Sequence, residues 1–191
     1  MLPEKVRLPF QFDKTLLVND LKKNYGDWTE HFVKDNYSGD WSVIPLRGPK
    51  GAVHPIQMIF SSPGVKDFED TPFLENCDYF KQVINTFQTK ITSVRLMKLG
   101  AGSEIKEHQD YDLDEENGIV RLHIPVVTND KVEFFLNRKR VVMEAGECWY
   151  CRLSDPHSVY NRGTEARVHM VLDMELNGWL QNLLLENATS E

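Results

Sequence analysis

The second half of the chain consists of short segments with strand propensity, each bounded by glycine, asparagine, aspartate or proline. From residue 91 onwards they cover 91–99, 119–127, 131–137, 140–144, 147–153, 157–161 and 166–174. Turn residues at this density, with few helical interruptions, are typical of an antiparallel sandwich or barrel. The sequence therefore predicts a mainly β fold for this half of the chain.

The first half carries a different pattern. Residues 15–24 and 74–88 place apolar side chains at helical spacing, so we predict two helices there. Between them, residues 41–47 and 56–60 are rich in apolar side chains and are separated by glycine and proline. We interpret these two segments as short strands joined by a glycine-rich loop.

Composition agrees with a globular protein. Hydrophobic residues make up 41% and charged residues 27% of the 191 residues, which is far from the composition of a disordered chain. No linker or repeat divides the sequence, so we expect a single domain over 1–191. Its parts would be a helical and irregular N-terminal support at 1–90, a β core at 91–175 and a C-terminal tail at 176–191.

Charge and cysteine content limit the partners and the compartment. The net charge of −7 argues against nucleic acid, and no run of apolar residues is long enough to span a membrane. Three cysteines without a signal-peptide pattern favour the cytoplasm, while the oligomeric state stays open. Cys148 and Cys151 form a CxxC motif inside a predicted strand, so we expect them to be structural rather than redox-active.

Two of the predicted strands alternate between apolar and basic side chains. Arg121 and His123 share one strand face, and Arg167 and His169 share one face of another strand. Such a face is either exposed to solvent or lines a polar cavity inside a barrel. The second interpretation requires a ligand, because buried polar groups need partners.

A possible metal site follows from three other residues. His108 and Asp110 project to the same side if this segment is extended, and His157 begins a later strand. Two histidines and one carboxylate form the facial triad of non-haem Fe(II) oxygenases. The alternative is a surface histidine beside an aspartate. Arg167 favours the triad, since a guanidinium can bind the distal carboxylate of a dicarboxylic co-substrate.

These motifs together resemble a known family. The similar segments are Arg121-Leu-His123-Ile-Pro-Val, Gly146-Glu-Cys-Trp149, Pro156-His157-Ser-Val-Tyr-Asn161-Arg-Gly163 and Arg167 through Asp173. They resemble the aspartyl/asparaginyl β-hydroxylase family, which includes bacterial hydroxylases of free amino acids such as proline. The similarity is densest over residues 91–175. It implies a double-stranded β-helix, that is, a jelly-roll or cupin-like barrel, with flanking N-terminal helices.

The resemblance also implies the cofactors and their ligands. Catalysis in this family uses Fe(II), 2-oxoglutarate and O2, and iron would be bound by His108, Asp110 and His157. Arg167 would pair with the distal carboxylate of 2-oxoglutarate. Arg121 and His123 would line the same pocket and contact the end of 2-oxoglutarate nearest the metal.

The substrate is the least constrained part of the prediction. Arg47 is a candidate for binding a substrate carboxylate, and Trp149 is a candidate wall of the site. Three functions remain open: hydroxylation of a free amino acid or small peptide, hydroxylation of aspartyl or asparaginyl residues in proteins, and ligand binding by a non-catalytic jelly roll. Residues 104–116 hold seven acidic side chains and one lysine, so most of the net charge is local. This segment is either a solvated loop or an acidic lid that attracts Fe(II) and a substrate amino group.

Overall fold

The computed structural model describes residues 2–59 and 65–188 and arranges them mainly as antiparallel strands. The strands are β1 (Lys5–Gln11), β2 (Thr29–Glu30), β3 (Tyr37–Ser38), β4 (Trp41–Pro49), β5 (Phe68–Asp70), β6 (Ile91–Leu99), β7 (Glu104–His108), β8 (Ile119–Val127), β9 (Val132–Leu136), β10 (Lys139–Val141), β11 (Glu147–Cys151), β12 (His157–Asn161) and β13 (Arg167–Glu175). The helices are α1 (Lys14–Lys23), α2 (Pro55–Ile59), α3 (Asp78–Asn85) and α4 (Gly178–Asn187). Short 3-10 turns lie at Lys34–Asn36 and Pro72–Leu74.

The strands form two sheets. The larger sheet has the order β1-β11-β8-β13-β6-β4-β2, with β5 paired to β4, and the smaller sheet has the order β10-β9-β12-β7-β3. The neighbouring strands β8, β13 and β6 are long and pair antiparallel over almost their full length. The prediction of a jelly-roll fold is confirmed, although over the described residues the two sheets do not close into a barrel.

Each face of the larger sheet packs against a different layer. On the outer face, Leu122, Ile124 and Met170 join an apolar cluster that includes Phe80 of α3 and Leu184 of α4. On the inner face, a second cluster contains residues of both sheets, among them Met97, Phe134, Leu136, Val159 and Val171. The inner cluster therefore lies between the two sheets, and the helices cover the outer face of the larger one.

The predicted alternation in β8 and β13 is confirmed. Leu122 and Met170 point to the outer cluster and are completely buried, so the basic residues between them point inward. His123, Arg167 and His169 are only 6%, 3% and 2% exposed. The interpretation of this face as a solvent-exposed surface is wrong, and the alternative of a polar interior is correct.

The N-terminal half contains one wrong prediction. Segment 56–60 was expected to be a strand, but Pro55–Ile59 forms the short helix α2, and residue 60 lies outside the described residues. Proline at the first helical position is favourable because its fixed φ suits a helix and its missing N–H would have no partner there. The backbone carbonyl of His54 accepts a hydrogen bond from Met58 N at 3.1 Å. Helical turn geometry thus overrides the strand propensity of a short apolar run.

The two predicted helices are confirmed with shifted bounds. α1 begins at Lys14, because Asp13 caps it by accepting hydrogen bonds from Thr15 N and Leu16 N. α3 is shorter than predicted, since Leu74 belongs to the preceding 3-10 turn.

Two elements at the ends of the chain were not predicted. β1 pairs with β11 at an edge of the larger sheet, where Pro9 is tolerated at a register shift. α4 occupies most of the expected tail at 176–191 and begins after Asn177, whose side chain accepts a hydrogen bond from Leu180 N. No helix among the described residues is long and apolar enough to cross a membrane.

Candidate active site

A cavity of about 960 Å³ lies between the two sheets and is lined by the polar inner face of the larger one. Its walls include Arg121, His123 and Arg167 of the larger sheet and His157 of β12. The sequence-predicted basic face and the predicted metal ligands therefore line the same cavity.

The three candidate metal ligands come together through strand pairing. His108 ends β7 and His157 begins β12, and the two residues are direct partners in the antiparallel register. Asp110 follows in a loop that is held by a hydrogen bond from its own backbone N to Leu153 O. One ligand atom from each of the three side chains lies within 4.8 Å of the others. This spacing is suitable for one divalent cation.

Backbone hydrogen bonds set the orientation of both imidazoles. The Nδ1 atom of His108 lies 2.8 Å from Lys106 O, and that of His157 lies 3.0 Å from Asp155 O. A carbonyl oxygen only accepts, so each Nδ1 donates, and in the neutral ring Nε2 then has its lone pair available for a metal. Burial and the neighbouring His108 lower the pKa of His157 to about 4, which keeps this ring neutral at pH 7. Metal binding requires that neutral form.

A network of charges holds the carboxylate of the triad. Arg121 Nη1 donates to Asp110 Oδ2 at 2.7 Å. Its Nε and Nη2 donate to the two oxygens of Asp173 at 2.6 and 2.9 Å, and Arg95 also pairs with Asp173. Burial alone would raise the pKa of Asp173, but the charges of Arg121 and Arg95 lower it to about 2. Asp110 Oδ1 remains on the side of His108, 3.7 Å from Nε2.

Sequence reasoning missed Asp173 and Arg95. Both residues face inward because they lie on strands whose buried alternate positions form the outer cluster. A signal existed, since Asp173 lies six residues after Arg167 and therefore on the same face of a regular strand. The partnership with Arg121 follows from the pairing of β8 with β13, in which Asp173 and Arg121 are direct neighbours.

Arg167 differs from the other two buried arginines. Its Nη2 lies 2.7 Å from His169 Nδ1, and among the described residues its Nε has no hydrogen-bond partner. Within the same part of the chain, both ring nitrogens of the buried His123 also lack partners. Burial lowers the pKa of Arg167 to about 9. Unsatisfied donors in a polar cavity fit a ligand that brings an anion and further acceptors, as 2-oxoglutarate does.

Two residues predicted for the substrate do not line the cavity. Arg47 donates to Asp70 Oδ1 at 2.5 Å and to Ile91 O at 2.9 Å, which holds it beside β5. Trp149 belongs to the inner apolar cluster, and its Nε1 donates to Glu147 Oε2 at 2.8 Å. The two cysteines of the CxxC motif that flanks Trp149 are buried free thiols in β11.

An aromatic part of the cavity wall was not foreseen. The ring of His31 stacks on Trp41 with 3.6 Å between centroids and 8° between planes, and both residues line the cavity. Burial lowers the pKa of His31 to about 4, so the ring is neutral and acts as an aromatic surface. From sequence alone, His31 carried no signal that distinguished it from other histidines.

The acidic segment 104–116 is only partly directed at the cavity. Asp110 and Asp112 line it. Asp114 instead accepts a hydrogen bond from Asn117 N at 2.7 Å, and Glu115 accepts one from Leu2 N at 2.9 Å. Any acidic lid would therefore be limited to the part of the segment closest to the candidate metal ligands.

Three solved structures with similar folds are an oxygenase-family oxidoreductase, a hydroxylase and an epimerase. The chain is similar to an oxidoreductase of the 2OG-Fe(II) oxygenase family from Burkholderia pseudomallei, with a TM-score of 0.58 and 14% identity over 91% of this chain and 86% of the other. It is also similar to a Pseudomonas putida prolyl-4-hydroxylase, with a TM-score of 0.54 and 11% identity over 92% and 94% of the two chains. The α-ketoglutarate-dependent epimerase SnoN gives a TM-score of 0.57 and 9% identity over 90% and 78%. At these identities the similarity establishes the fold alone.

The family follows from the sequence itself. Residues 17–176 match the family model described as aspartyl/asparaginyl beta-hydroxylase. The chain belongs to the aspartyl/asparaginyl beta-hydroxylase family. Together with the fold and the site, this membership makes it a 2-oxoglutarate-dependent dioxygenase, an enzyme class that uses Fe(II), 2-oxoglutarate and O2.

Proposed function

We propose that this protein hydroxylates a free amino acid or a small peptide, with Fe(II) bound by His108, Asp110 and His157. One observation carries the proposal. The three side chains line the same cavity as Arg167, a buried guanidinium that has no carboxylate partner among the described residues. Two neutral imidazoles and one carboxylate suit Fe(II) and leave coordination positions open for co-substrates.

We assign the remaining polar residues of the cavity to binding and orientation. Arg167 binds the distal carboxylate of 2-oxoglutarate, since a guanidinium recognises a carboxylate through paired hydrogen bonds. His123, with both ring nitrogens unpaired within the described chain, contacts the end nearest the metal. Arg121 is hydrogen-bonded to Asp110 and Asp173, which supports another role for it: Arg121 orients the Asp110 carboxylate. Any contact between Arg121 and 2-oxoglutarate would use its remaining N–H groups.

The chemistry divides between the bound reactants and the chain. When bound, Fe(II), 2-oxoglutarate and O2 supply the oxidant that converts a substrate C–H bond to C–OH, while 2-oxoglutarate becomes succinate and CO2. The chain holds Asp110 and both imidazoles in place through backbone and Arg121 hydrogen bonds. Apolar side chains such as Phe134, Leu153 and Val171 line the same cavity and exclude water from it.

The size and lining of the cavity support a small substrate. A volume of about 960 Å³ is at the upper end of what small-molecule sites offer, so it accommodates 2-oxoglutarate and one further small molecule. Its lining includes the cation of Lys66 and the carboxylate of Asp112 in addition to the charge network. Groups of both signs are what a zwitterionic amino acid needs.

The second candidate is hydroxylation of aspartyl or asparaginyl residues in a protein. The description of the family model favours it. A non-catalytic binding module is the weakest alternative, because it gives no reason for a complete metal triad beside an unpaired arginine.

Anaerobic titration with Fe(II) and 2-oxoglutarate tests the proposed site. Without O2 the wild-type protein should develop a visible metal-to-ligand charge-transfer band, and after O2 is admitted in the presence of substrate it should release succinate. We expect His157→Ala and Asp110→Ala to abolish both signals, because each removes a ligand. Arg167→Ala should keep iron binding and raise the KM for 2-oxoglutarate by about tenfold or more, since hydrogen bonds to charged groups contribute ~1.5–3 kcal/mol. His54→Ala, at an exposed position, is the control.

Two results would contradict the proposal. Absence of the band in the wild-type protein would argue for a different metal or a binding module. Unchanged succinate release in all three variants would remove the assigned residues from the mechanism. A panel of free amino acids and peptides then distinguishes the candidates, because faster turnover of aspartyl or asparaginyl peptides would favour the protein-substrate function.

A further inference from the structure

His169 is a buried histidine for which the sequence offers no role. It lies in β13 on the same inner face as Arg167, two residues further along, and only 2% of it is exposed. Its ring meets that of His123 edge to face, with 71° between the planes and 5.8 Å between centroids. The residue therefore belongs to the polar inner face of the larger sheet and not to the proposed metal triad.

The contact between His169 and Arg167 defines the state of the histidine. Arg167 Nη2 and His169 Nδ1 are 2.7 Å apart, and a guanidinium has no acceptor atom. His169 Nδ1 must therefore accept the hydrogen bond, which requires a neutral ring with its proton on Nε2. Burial and the charge of Arg167 both lower the pKa of His169 well below 6.5, in agreement with that tautomer.

Carboxylates balance the other two buried arginines of the inner face. Arg121 and Arg95 both pair with Asp173, and Arg121 also pairs with Asp110. Arg167 is 3% exposed and makes no ion pair within the described part of the chain. A buried charge without a counter-charge is costly, so the site favours binding of an anion from outside.

We propose that His169 is a positioning residue that holds Arg167 with a neutral acceptor and thereby keeps its charge free for the distal carboxylate of 2-oxoglutarate. This inference rests on the proposed function and extends it. A carboxylate in the place of His169 would fix Arg167 equally well, but it would neutralise the guanidinium and compete with the co-substrate. The proposed role therefore requires a residue 169 that accepts the hydrogen bond from Arg167 and is itself neutral.

His169→Asn and His169→Asp form a matched pair for the test. The two side chains have nearly the same shape and each can direct an oxygen towards Arg167, but asparagine is neutral and aspartate is charged. The probe is 2-oxoglutarate added to the Mn(II)-loaded protein, with affinity measured by calorimetry. We expect the conservative asparagine variant to bind within about threefold of wild type and the aspartate variant to bind at least about tenfold more weakly, as loss of a charged hydrogen bond implies.

A second ligand separates positioning from structural damage. The analogue 2-oxopentanoate keeps the keto acid but lacks the distal carboxylate, so its affinity should be the same for the two variants. Equal weakening of both ligands by His169→Asp, or equal 2-oxoglutarate affinity in both variants, would overturn the inference. If the aspartate variant does not fold, His169→Glu introduces the same charge at this position. Failure of the wild-type protein to bind 2-oxoglutarate would instead overturn the proposed function, and this inference with it.

Discussion

At the scale of single residues, the contribution of an ion pair to stability depends on how deeply the pair is buried. The side chain of Asp173 is only 11% exposed, and its carboxylate pairs with both Arg95 and Arg121. Asp70 bonds to Arg47 in a similar pair, but its side chain is 52% exposed. Water screens the second pair and hardly reaches the first, so the two aspartates should differ strongly in their contribution to stability.

Substituting each aspartate by asparagine compares these pairs directly. Asp173→Asn should lower the free energy of unfolding by ~3–5 kcal/mol, because it leaves buried guanidinium groups without a counter-charge. Asp70→Asn, the control, should lower it by less than about 1 kcal/mol. Urea unfolding measures both. Similar losses in the two variants would show that burial does not govern the strength of these pairs.

At the scale of elements, the two faces of the larger sheet have different roles. Its outer face packs against α1, α3 and α4 through apolar side chains, whereas its inner face presents charged and polar side chains to the cavity. In β13, Met170 and Leu172 are completely buried in the outer cluster, while Arg167 and Asp173 line the cavity. A substitution in the outer layer should therefore affect stability without changing the chemistry of the site.

Helix α4 tests this separation with two adjacent leucines. Leu184 is completely buried in the outer cluster, and Leu185 is 44% exposed. Leu184→Ala should lower the free energy of unfolding by ~2–5 kcal/mol, whereas Leu185→Ala should change it by about 0.5 kcal/mol or less. Metal titration at a temperature where both variants are folded should give wild-type affinity. Loss of metal affinity in Leu184→Ala would show that the two faces are coupled.

At the scale of the whole molecule, several buried histidines make stability depend on pH. Burial is the main cause that lowers the pKa of His31 to about 4 and the pKa values of His123 and His169 well below 6.5. Between these values and 6.5 the unfolded chain binds protons that the native protein does not. The free energy of unfolding must then decrease as the pH falls.

We expect the metal-free protein to lose stability as the pH is lowered from about 6.5 towards 4. Urea unfolding at a series of pH values measures the slope. His31→Phe keeps an aromatic ring next to Trp41 but removes one titrating group, so it should reduce the slope. His54→Phe, at an exposed position, should leave the slope unchanged. A flat profile in the wild-type protein would contradict the expected burial of neutral histidines.

The sequence was sufficient where a local pattern carries the information. Alternation along β8 and β13 reflects the geometry of every strand, so it indicated that Arg121 and Arg167 share faces with other polar residues. The i, i+2 spacing of His108 and Asp110 also predicted their convergence, although β7 ends at His108 and a loop positions Asp110. The local pattern predicted the wrong element at Pro55–Ile59, because a short apolar run fits either a strand or a helical turn.

The pairing of strands that are far apart in the chain could not be predicted from the sequence. The register of β7 with β12 places His157 beside His108, and the register of β8 with β13 places Asp173 beside Arg121. Such neighbours are set by packing between strands that are distant in the chain. By itself, the sequence determined the β class, the basic face shared by residues of β8 and of β13 and the residue types of a candidate metal triad. Only the tertiary structure decided that Asp173 pairs with two arginines and that Arg167 contacts His169 and no carboxylate of the described residues, because burial and ion pairing depend on which strands meet.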